Sequence, residues 1–383
     1  MSSYHPGTEL PVPDAEQIEH SSRLIEKIIL KIASSGGVIS FRDYMNSCLY
    51  EPGLGYYTAG STKFGASGDF ITAPEVSSLF GQSLANQAAD LFNQGLERHF
   101  LEFGAGTGKL CVDIIQRMND QGIDWMSYQM LEPSSDLQQR QQQFIKQHLT
   151  SKDVNKIQWL SKLPEGFNGL VLGNEVLDAM PVNVVVKNQQ WMELGVSFSD
   201  QKFEWVEFSQ NSEAVQRIQS IDLHNELPDH YCTEVNLNYR PWFNSLQLSF
   251  DKAVVLLIDY GYEQHQYYHQ QRTTGTLVCF YRHRVHPDPF VYPGLQDITA
   301  FVDFDTVADA AEGAGFSISG MTTQANFLME NGLLELSSLE SAGEIQRLEI
   351  AQQIKTLTLP GEMGEKFKVI GLQKNLQLDL TGI

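Results

Sequence analysis

The chain has 383 residues, 42% of them hydrophobic, and a formal net charge of −21, so it can bury a large core and is long enough for one elaborated domain or two. That charge argues against a nucleic-acid partner, since a phosphate track needs clustered Lys and Arg, and it favours cationic partners unless the acidic surface serves only solubility. No apolar run approaches the ~18 to 20 residues of a membrane helix, which excludes membrane insertion. The four cysteines, Cys48, Cys111, Cys232 and Cys279, form no C-x-x-C pair, give no zinc signature and read as reduced thiols.

Residues 1–17 are polar and Pro-rich, with neither an apolar signal core nor an Arg-rich amphipathic pattern, which points to a cytoplasmic protein with a loose N-terminal tail. Ile18, Leu24, Ile25, Ile28, Ile29 and Ile32 then recur at helical spacing. Gly36-Gly37 stops that helix, and Ser40 is positioned to cap a short second one over Phe41 to Leu49. Residues 50–75 are dense in glycine and aromatic residues, among them Tyr50, Tyr56, Tyr57, Phe64 and Phe70, without a strong period. They read as a long structured loop of the kind that often serves function. From Pro74-Glu75 a helix resumes through Leu79, Phe80, Leu84, Ala88 and Leu91.

Next comes Glu102-Phe103-Gly104-Ala105-Gly106-Thr107-Gly108, set between an apolar strand and a helix whose stripe is Leu110, Ile114 and Met118. Alternate glycines let the backbone turn tightly and come against a ligand, because no Cβ intervenes. Glu102 would meet a pyrophosphate unfavourably but can accept from the α-ammonium of a methionine-derived cofactor or from the loop's own amides. Lys109 stands where a dinucleotide fingerprint has its third glycine, and no Ser or Thr follows it as a P-loop requires. The cofactor indicated is S-adenosyl-L-methionine. In a β-α-β unit an acidic residue at the tip of the second strand accepts the ribose hydroxyls, and Glu132, ending Tyr128 to Glu132, is placed for that.

Further strands are expected at Ile157 to Leu160 and Gly169 to Gly173, the latter central because it is apolar throughout, with a Gln-rich polar helix over Gln138 to Leu149 ahead of them. Val182 to Val186, Trp191 to Phe198 and Phe203 to Phe208 read as an antiparallel meander, and 212–248 as helical and irregular. Ala253 to Asp259 is the best buried strand, followed by a helix over Phe301 to Gly313 and strands over Phe316 to Met321 and Lys366 to Leu372. The alternation argues a doubly wound α/β sheet: residues 1–75 form a tail and cap, 76–181 and 251–383 the two parts of a Rossmann-like core, and 182–250 an inserted α+β subdomain.

Ligands of such sheets lie beyond the carboxyl ends of the strands, so Asn174, Glu175 and Asp178 attract notice. Asn174 can face the substrate edge of the cofactor, and Glu175 and Asp178 can pin a cationic, forked guanidinium; alternatively they cap the next helix. Asp259 serves the site or satisfies a turn. Tyr56 and Tyr57 wall an acceptor channel or pack. His283, His286 and Asp288, interleaved with Arg282, Arg284, Pro287 and Pro289, make no metal site.

These residues resemble the MidA family of S-adenosylmethionine-dependent methyltransferases over about 38–374. The landmarks are Tyr50-Glu51-Pro52, Gly55-Tyr56-Tyr57, Gly68 to Glu75, Leu101 to Gly108, Leu131-Glu132-Pro133-Ser134, Asn174-Glu175 to Pro181, Ile258 to Gly261 and Met363 to Lys368. The resemblance implies a class I methyltransferase sheet, a Gly68 to Glu75 loop that folds over the cofactor, and contacts from Asp69 and Thr72 to its amino-acid end. Its mitochondrial members are protein arginine methyltransferases needed for assembly of respiratory complex I. The partner expected is therefore a protein with an accessible arginine, and a homodimer is left open. Three readings stand: a protein-arginine methyltransferase, a small-molecule methyltransferase, and an assembly factor that binds the cofactor without turnover.

Overall fold

The structure, a computed structural model, describes residues 10–59, 71–337 and 343–383. Two compact units divide the described residues. One gathers those of Met1–Phe70, Asp178–Tyr239 and Tyr262–Asp303; the other gathers those of Ile71–Leu177, Arg240–Gly261 and Phe304–Ile383.

The second unit is built on a sheet whose strands are β1 (His99–Phe103), β2 (Ser127–Leu131), β3 (Ile157–Leu160), β4 (Phe167–Asn174), β5 (Phe250–Tyr262), β6 (Ser317–Thr323) and β7 (Phe367–Lys374). Their order is β3-β2-β1-β4-β5-β7-β6. Pairs from β3 through β5 are parallel, and β7 runs antiparallel to both β5 and β6. The chain winds outward from β1 to β3, then returns to the other side of β1 with β4. The switch in strand order therefore falls between β1 and β4, where an open α/β sheet presents its crevice. The central strands are apolar because both faces are covered: Phe100, Leu101, Leu170, Val171 and Val254 to Leu256 are almost fully buried, each such side chain contributing about 1.5–3 kcal/mol. Gly169 is required where β4 meets β1, since a Cβ there would lie 2.3 Å from the carbonyl oxygen of His99.

The helix expected from Pro74 is broken: Ala73–Val76 ends at Ser77, whose extended backbone caps the following helix Ser78–Asn93. Between β6 and β7 lie Gln324–Glu330, Leu333–Leu336 and Glu344–Thr358, helices that the sequence pattern does not announce. In the last of them Ile345 and Leu348 are exposed, so no apolar stripe marks it.

In the first unit, helix Ala15–Ser34 starts at a capping box formed by Asp14 and Gln17 and buries Leu24, Ile28 and Ile32. Those side chains share a core with Phe41, Tyr44, Met45, Val184, Val196, Cys279 and Ile298. Ser40 caps Phe41–Tyr50 by accepting the amide of Asp43. The meander is present as Asn183–Asn188, Gln190–Ser199 and Lys202–Ser209. A fourth strand, Tyr231–Val235, pairs with Asn183–Asn188 within a stretch expected to be helical and irregular. Its buried Thr233 and Glu234 remove the polar–apolar contrast by which a strand is recognised; Glu234 accepts from the amide and hydroxyl of Thr276, at 2.8 and 2.7 Å. A small sheet of Arg284–His286, Val278–Tyr281 and Asp297–Thr299 is also new. Its hairpin turns on Arg282 and His283, both left-handed, and His286 Nδ1 accepts the amide of Asp288 at 3.4 Å.

Candidate functional site

The glycine run leaves β1 and enters helix Lys109–Asp120 with Gly108 as the N-cap residue. Gly104, Gly106 and Gly108 have φ of 63°, 52° and 87°, a region in which a side chain is strained. They differ in what surrounds them. A Cβ on Gly104 would sit 3.3 Å from Val176, and one on Gly108 3.3 Å from Ile145, whereas on Gly106 it would meet nothing within 4 Å among the described residues. Gly106 thus turns the loop's bare backbone toward open space. Thr107 fixes the loop from the other side by donating to Glu75 Oε1 at 2.6 Å; Glu75, the last residue of the Gly68 to Glu75 run, was not singled out from the sequence.

Glu102 lies beneath this loop, 2% exposed, where its Oε2 accepts the Tyr128 hydroxyl from β2 at 2.7 Å. Burial pushes its carboxyl up to about 7, with the Tyr128 hydrogen bond acting in the opposite direction.

Glu132 follows β2 and is also buried. Its Oε1 accepts the amide of Ser134 at 2.9 Å and its Oε2 the Gln141 amide at 3.3 Å. Burial raises its carboxyl, and these two bonds lower it. Gln141, in helix Ser135–His148, also donates to the carbonyl of Gly106 at 3.0 Å and so joins the loop to Glu132. This residue was missed from the sequence. The available signal was its place between Leu137 and Ile145 at i, i+4, i+8, where an otherwise apolar stripe holds an amide.

At the end of β4, Asn174 donates to Glu175 Oε1 at 3.1 Å. Its own Oδ1 is buried with no hydrogen-bond partner among the described residues, an exception that calls for a ligand or water. Glu175 carries φ of 53°, unfavourable for a residue with a long side chain, and its amide donates to the Ile258 carbonyl of β5. Asp259, 1% exposed, holds the turn: its Oδ2 accepts the amides of Val176 and Leu177 at 3.1 and 2.9 Å. Of the two readings open for Asp259, these contacts are those of the turn.

Asp178 belongs to the other unit. There it is buried, and its carbonyl accepts the amide of Ala300. Its charge is felt by Tyr57, which burial, Asp297, Tyr50 and Asp178 together hold well above the usual phenol range. The Tyr57 hydroxyl donates to Asp297 at 2.9 Å, and its ring stacks on Tyr50 and meets Tyr56 edge-on; these are packing contacts. Thr72 precedes Ala73–Val76, its carbonyl accepting the amides of Glu75 and Val76. Asp69 lies outside the described residues.

The second unit thus joins Glu75, the glycine loop, Gln141 and Glu132 by hydrogen bonds, sets Glu102 on β1 just ahead of the loop with Tyr128 as its partner, and places Asn174, Glu175 and Asp259 at the neighbouring strand ends. Two features suit a ligand with polar groups: a left-handed glycine facing open space, and a buried amide oxygen without a partner.

Residues 83–322 match the model of a family described as "Putative S-adenosyl-L-methionine-dependent methyltransferase". The Drosophila melanogaster protein named protein arginine methyltransferase NDUFAF7 homolog, mitochondrial, is 30% identical over 96% of this chain and 90% of its own. The Homo sapiens protein arginine methyltransferase NDUFAF7, mitochondrial, is 28% identical over 93% of this chain and 84% of its own. A crystal structure from Burkholderia thailandensis, bound to S-adenosyl-homocysteine, superimposes with a TM-score of 0.92 at 39% identity, covering 97% of both chains. The cytoplasmic expectation is overturned, because the curated relatives are named as mitochondrial proteins. That expectation rested on the lack of a targeting pattern in residues 1–17, and the lack of a pattern does not choose a compartment. Among the described residues no helix is long and apolar enough to cross a membrane.

Proposed function

The chain belongs to the family of S-adenosylmethionine-dependent methyltransferases, and from that premise we propose that it methylates an arginine side chain on a protein. The observation that carries the acceptor class is the shared name of relatives matching over nearly the whole chain; a subunit of respiratory complex I, suggested by the resemblance in the sequence, is the first substrate to try. In this reading the backbone of Gly104, Gly106 and Gly108 lies against the cofactor, Glu132 accepts the ribose hydroxyls, and Glu102 and Thr72 serve the amino-acid end. Asn174 faces the edge nearest the acceptor.

When bound, S-adenosylmethionine supplies a methyl group already activated on a sulfonium. The chain's work is to orient the acceptor, because a reacting pair held about 3 Å apart and in line gains most of its advantage from position. Glu175 holds the guanidinium through its planar fork and favours its positive charge. It does not remove a proton beforehand, since a guanidinium has a pKa of about 12.5 or more; the proton becomes acidic as the new bond forms and leaves to a carboxylate or to solvent. The test is to incubate the full chain, methyl-labelled cofactor and complex I subunits, then locate label by mass spectrometry. Label on arginine is expected. Label confined to small molecules, with protein unlabelled, would replace this reading by the small-molecule one.

A further inference from the structure

Gln141 is fully buried, and every polar atom of its side chain is engaged. One amide nitrogen serves two acceptors, the Gly106 carbonyl at 3.0 Å and Glu132 Oε2 at 3.3 Å, which matches the two N–H bonds a primary amide has to give. Its Oε1 accepts the indole N–H of Trp159, on β3, at 2.8 Å. An indole N–H can only donate, while a carboxylate and a carbonyl can only accept. The amide therefore has one workable orientation, because the reversed one would set oxygen against two acceptors and nitrogen against a donor. Two other contacts frame the same corner: Gln138 Nε2 donates to the Glu132 carbonyl at 2.6 Å, and the Glu132 amide donates to the Leu160 carbonyl of β3.

We infer that Gln141 is a positioning residue of the cofactor site, a polarity-coded brace that sets the Glu132 carboxylate and the Gly106 peptide in register with each other. Trp159 supplies its orientation. The inference rests on the reading of Glu132 as the ribose acceptor. Its physical content is that the two acceptors on Gln141 belong to the two loops that follow β1 and β2. The relative placement of those loops thus depends on a buried side chain that need not touch the cofactor. A carboxylate held by the Ser134 amide alone keeps one oxygen anchored and lets the other rotate; with the Gln141 amide present both are fixed. The Gln-rich composition of Ser135–His148 hides this: its neighbours Gln139 and Gln143 are exposed.

The experiment is calorimetric titration of S-adenosyl-homocysteine into the full chain carrying Gln141→Leu, Gln141→Glu, Trp159→Phe, Glu132→Ala, or Gln141→Leu together with Glu132→Ala. Circular dichroism establishes that each is folded. Gln141→Leu is expected to weaken binding about 5- to 10-fold, Gln141→Glu by more because it sets a carboxylate against a carboxylate and a carbonyl, and Trp159→Phe by less because the amide keeps both acceptors. In turnover, the rise in KM for the cofactor should exceed any fall in kcat. The double variant should lose little beyond Glu132→Ala, since Gln141 acts largely through that carboxylate. A folded Gln141→Leu protein with unchanged affinity, alongside a weakened Glu132→Ala, overturns the brace and leaves the ribose reading standing. Full additivity in the double variant also overturns it. Unchanged affinity in Glu132→Ala overturns the ribose reading itself. Should Gln141→Glu fail to fold, Gln141→Leu and Trp159→Phe carry the test.

Discussion

The two ends of the candidate site in the second unit are built on opposite terms. Around Glu132 the polar atoms close on one another: Ser134, Gln141, Gly106 and Trp159 give and receive in a connected set, the arrangement that rigidifies a buried network. At the end of β4 the polar atoms do not close. Asn174 Oδ1 lacks a partner among the described residues, Glu175 sits at φ 53°, and Asp259 is spent on holding the turn. A preformed corner suits a ligand that is the same in every turnover. An incomplete, strained corner suits the partner that changes, since strain and unsatisfied groups recur where binding finishes the site. The comparison teaches that damage at the first end should appear in cofactor affinity and damage at the second in turnover.

The largest effect should come from Gly106→Val. A β-branched residue at φ 52° is strained, and its Cβ enters the open space the loop faces. Binding of S-adenosyl-homocysteine should be lost by calorimetry, by about 10³-fold or more, in a protein that remains folded by circular dichroism. Retained affinity would take the loop out of the cofactor site and dissolve the contrast between the two ends.

Glu102 tests what the preformed corner costs. Its carboxyl is held at about 7 against an ordinary 4.5. Its folded value is raised, so the native state binds more protons than the unfolded chain between those limits, and stability falls as pH climbs through them. The difference of about 2.5 units corresponds to roughly 3 kcal/mol at ~1.36 kcal/mol per unit. Glu102→Gln stays neutral and still accepts from Tyr128, so it should lose this decline. Urea unfolding at pH 5 and pH 8 measures it; because Glu132 and Glu234 are raised in the same direction, the readout is wild type minus variant. Equal declines in the two proteins would assign the cost elsewhere.

At the open corner, Glu175→Gln keeps shape and an acceptor but removes the charge that favours a guanidinium. Turnover should fall by ~10², the scale of one preorganised electrostatic contact, while cofactor affinity stays within about twofold. Methyl incorporation measured beside cofactor titration separates the two. Near-normal turnover would return Glu175 to a turn-shaping role, and joint loss of binding and activity would move it to the cofactor's side of the comparison.

How much of this was legible in the sequence follows from the kind of interaction involved. The parallel sheet is readable because its central strands are apolar on both faces, as Val254 to Leu256 show, and because Gly104 to Gly108 announces a turn that only glycine tolerates. Glu132 was found from its distance along the chain to that turn. Gln141 was passed over because its partners lie 35 and 9 residues away, and because the surrounding glutamines, Gln139 and Gln143 among them, mask the stripe of Leu137, Gln141 and Ile145 in which it stands. The strand Tyr231–Val235 was hidden for a related reason: Glu234 is inside, paid for by Thr276, a partner 42 residues off. Nor does hydropathy disclose that Asp178 and Glu175, three positions apart, fall to different compact units, because that boundary is set by long-range packing. Burial of polar groups is legible only once their partners are known.

The smallest effect sharpens the claim that the open corner is strained. Placing a non-glycine residue in the left-handed region costs roughly 1–2 kcal/mol, whereas glycine adopts it freely at an entropic cost of about 0.5–1 kcal/mol. In Glu175→Gly the relief of the left-handed backbone, about 0.5–1 kcal/mol, should therefore roughly offset the loss of the side chain's contacts, that to Asn174 Nδ2 among them, and leave the stability within about 0.5 kcal/mol. The same replacement at Glu132, where both carboxylate oxygens are held, should destabilise by at least 1 kcal/mol. Paired urea midpoints at one pH give the comparison directly, with turnover of the Glu175→Gly protein expected to be as low as that of Glu175→Gln. A clear loss of stability in Glu175→Gly would mean that its side chain contributes more to the fold than its backbone costs. The corner at the end of β4 would then be a structural turn rather than one kept strained for the acceptor.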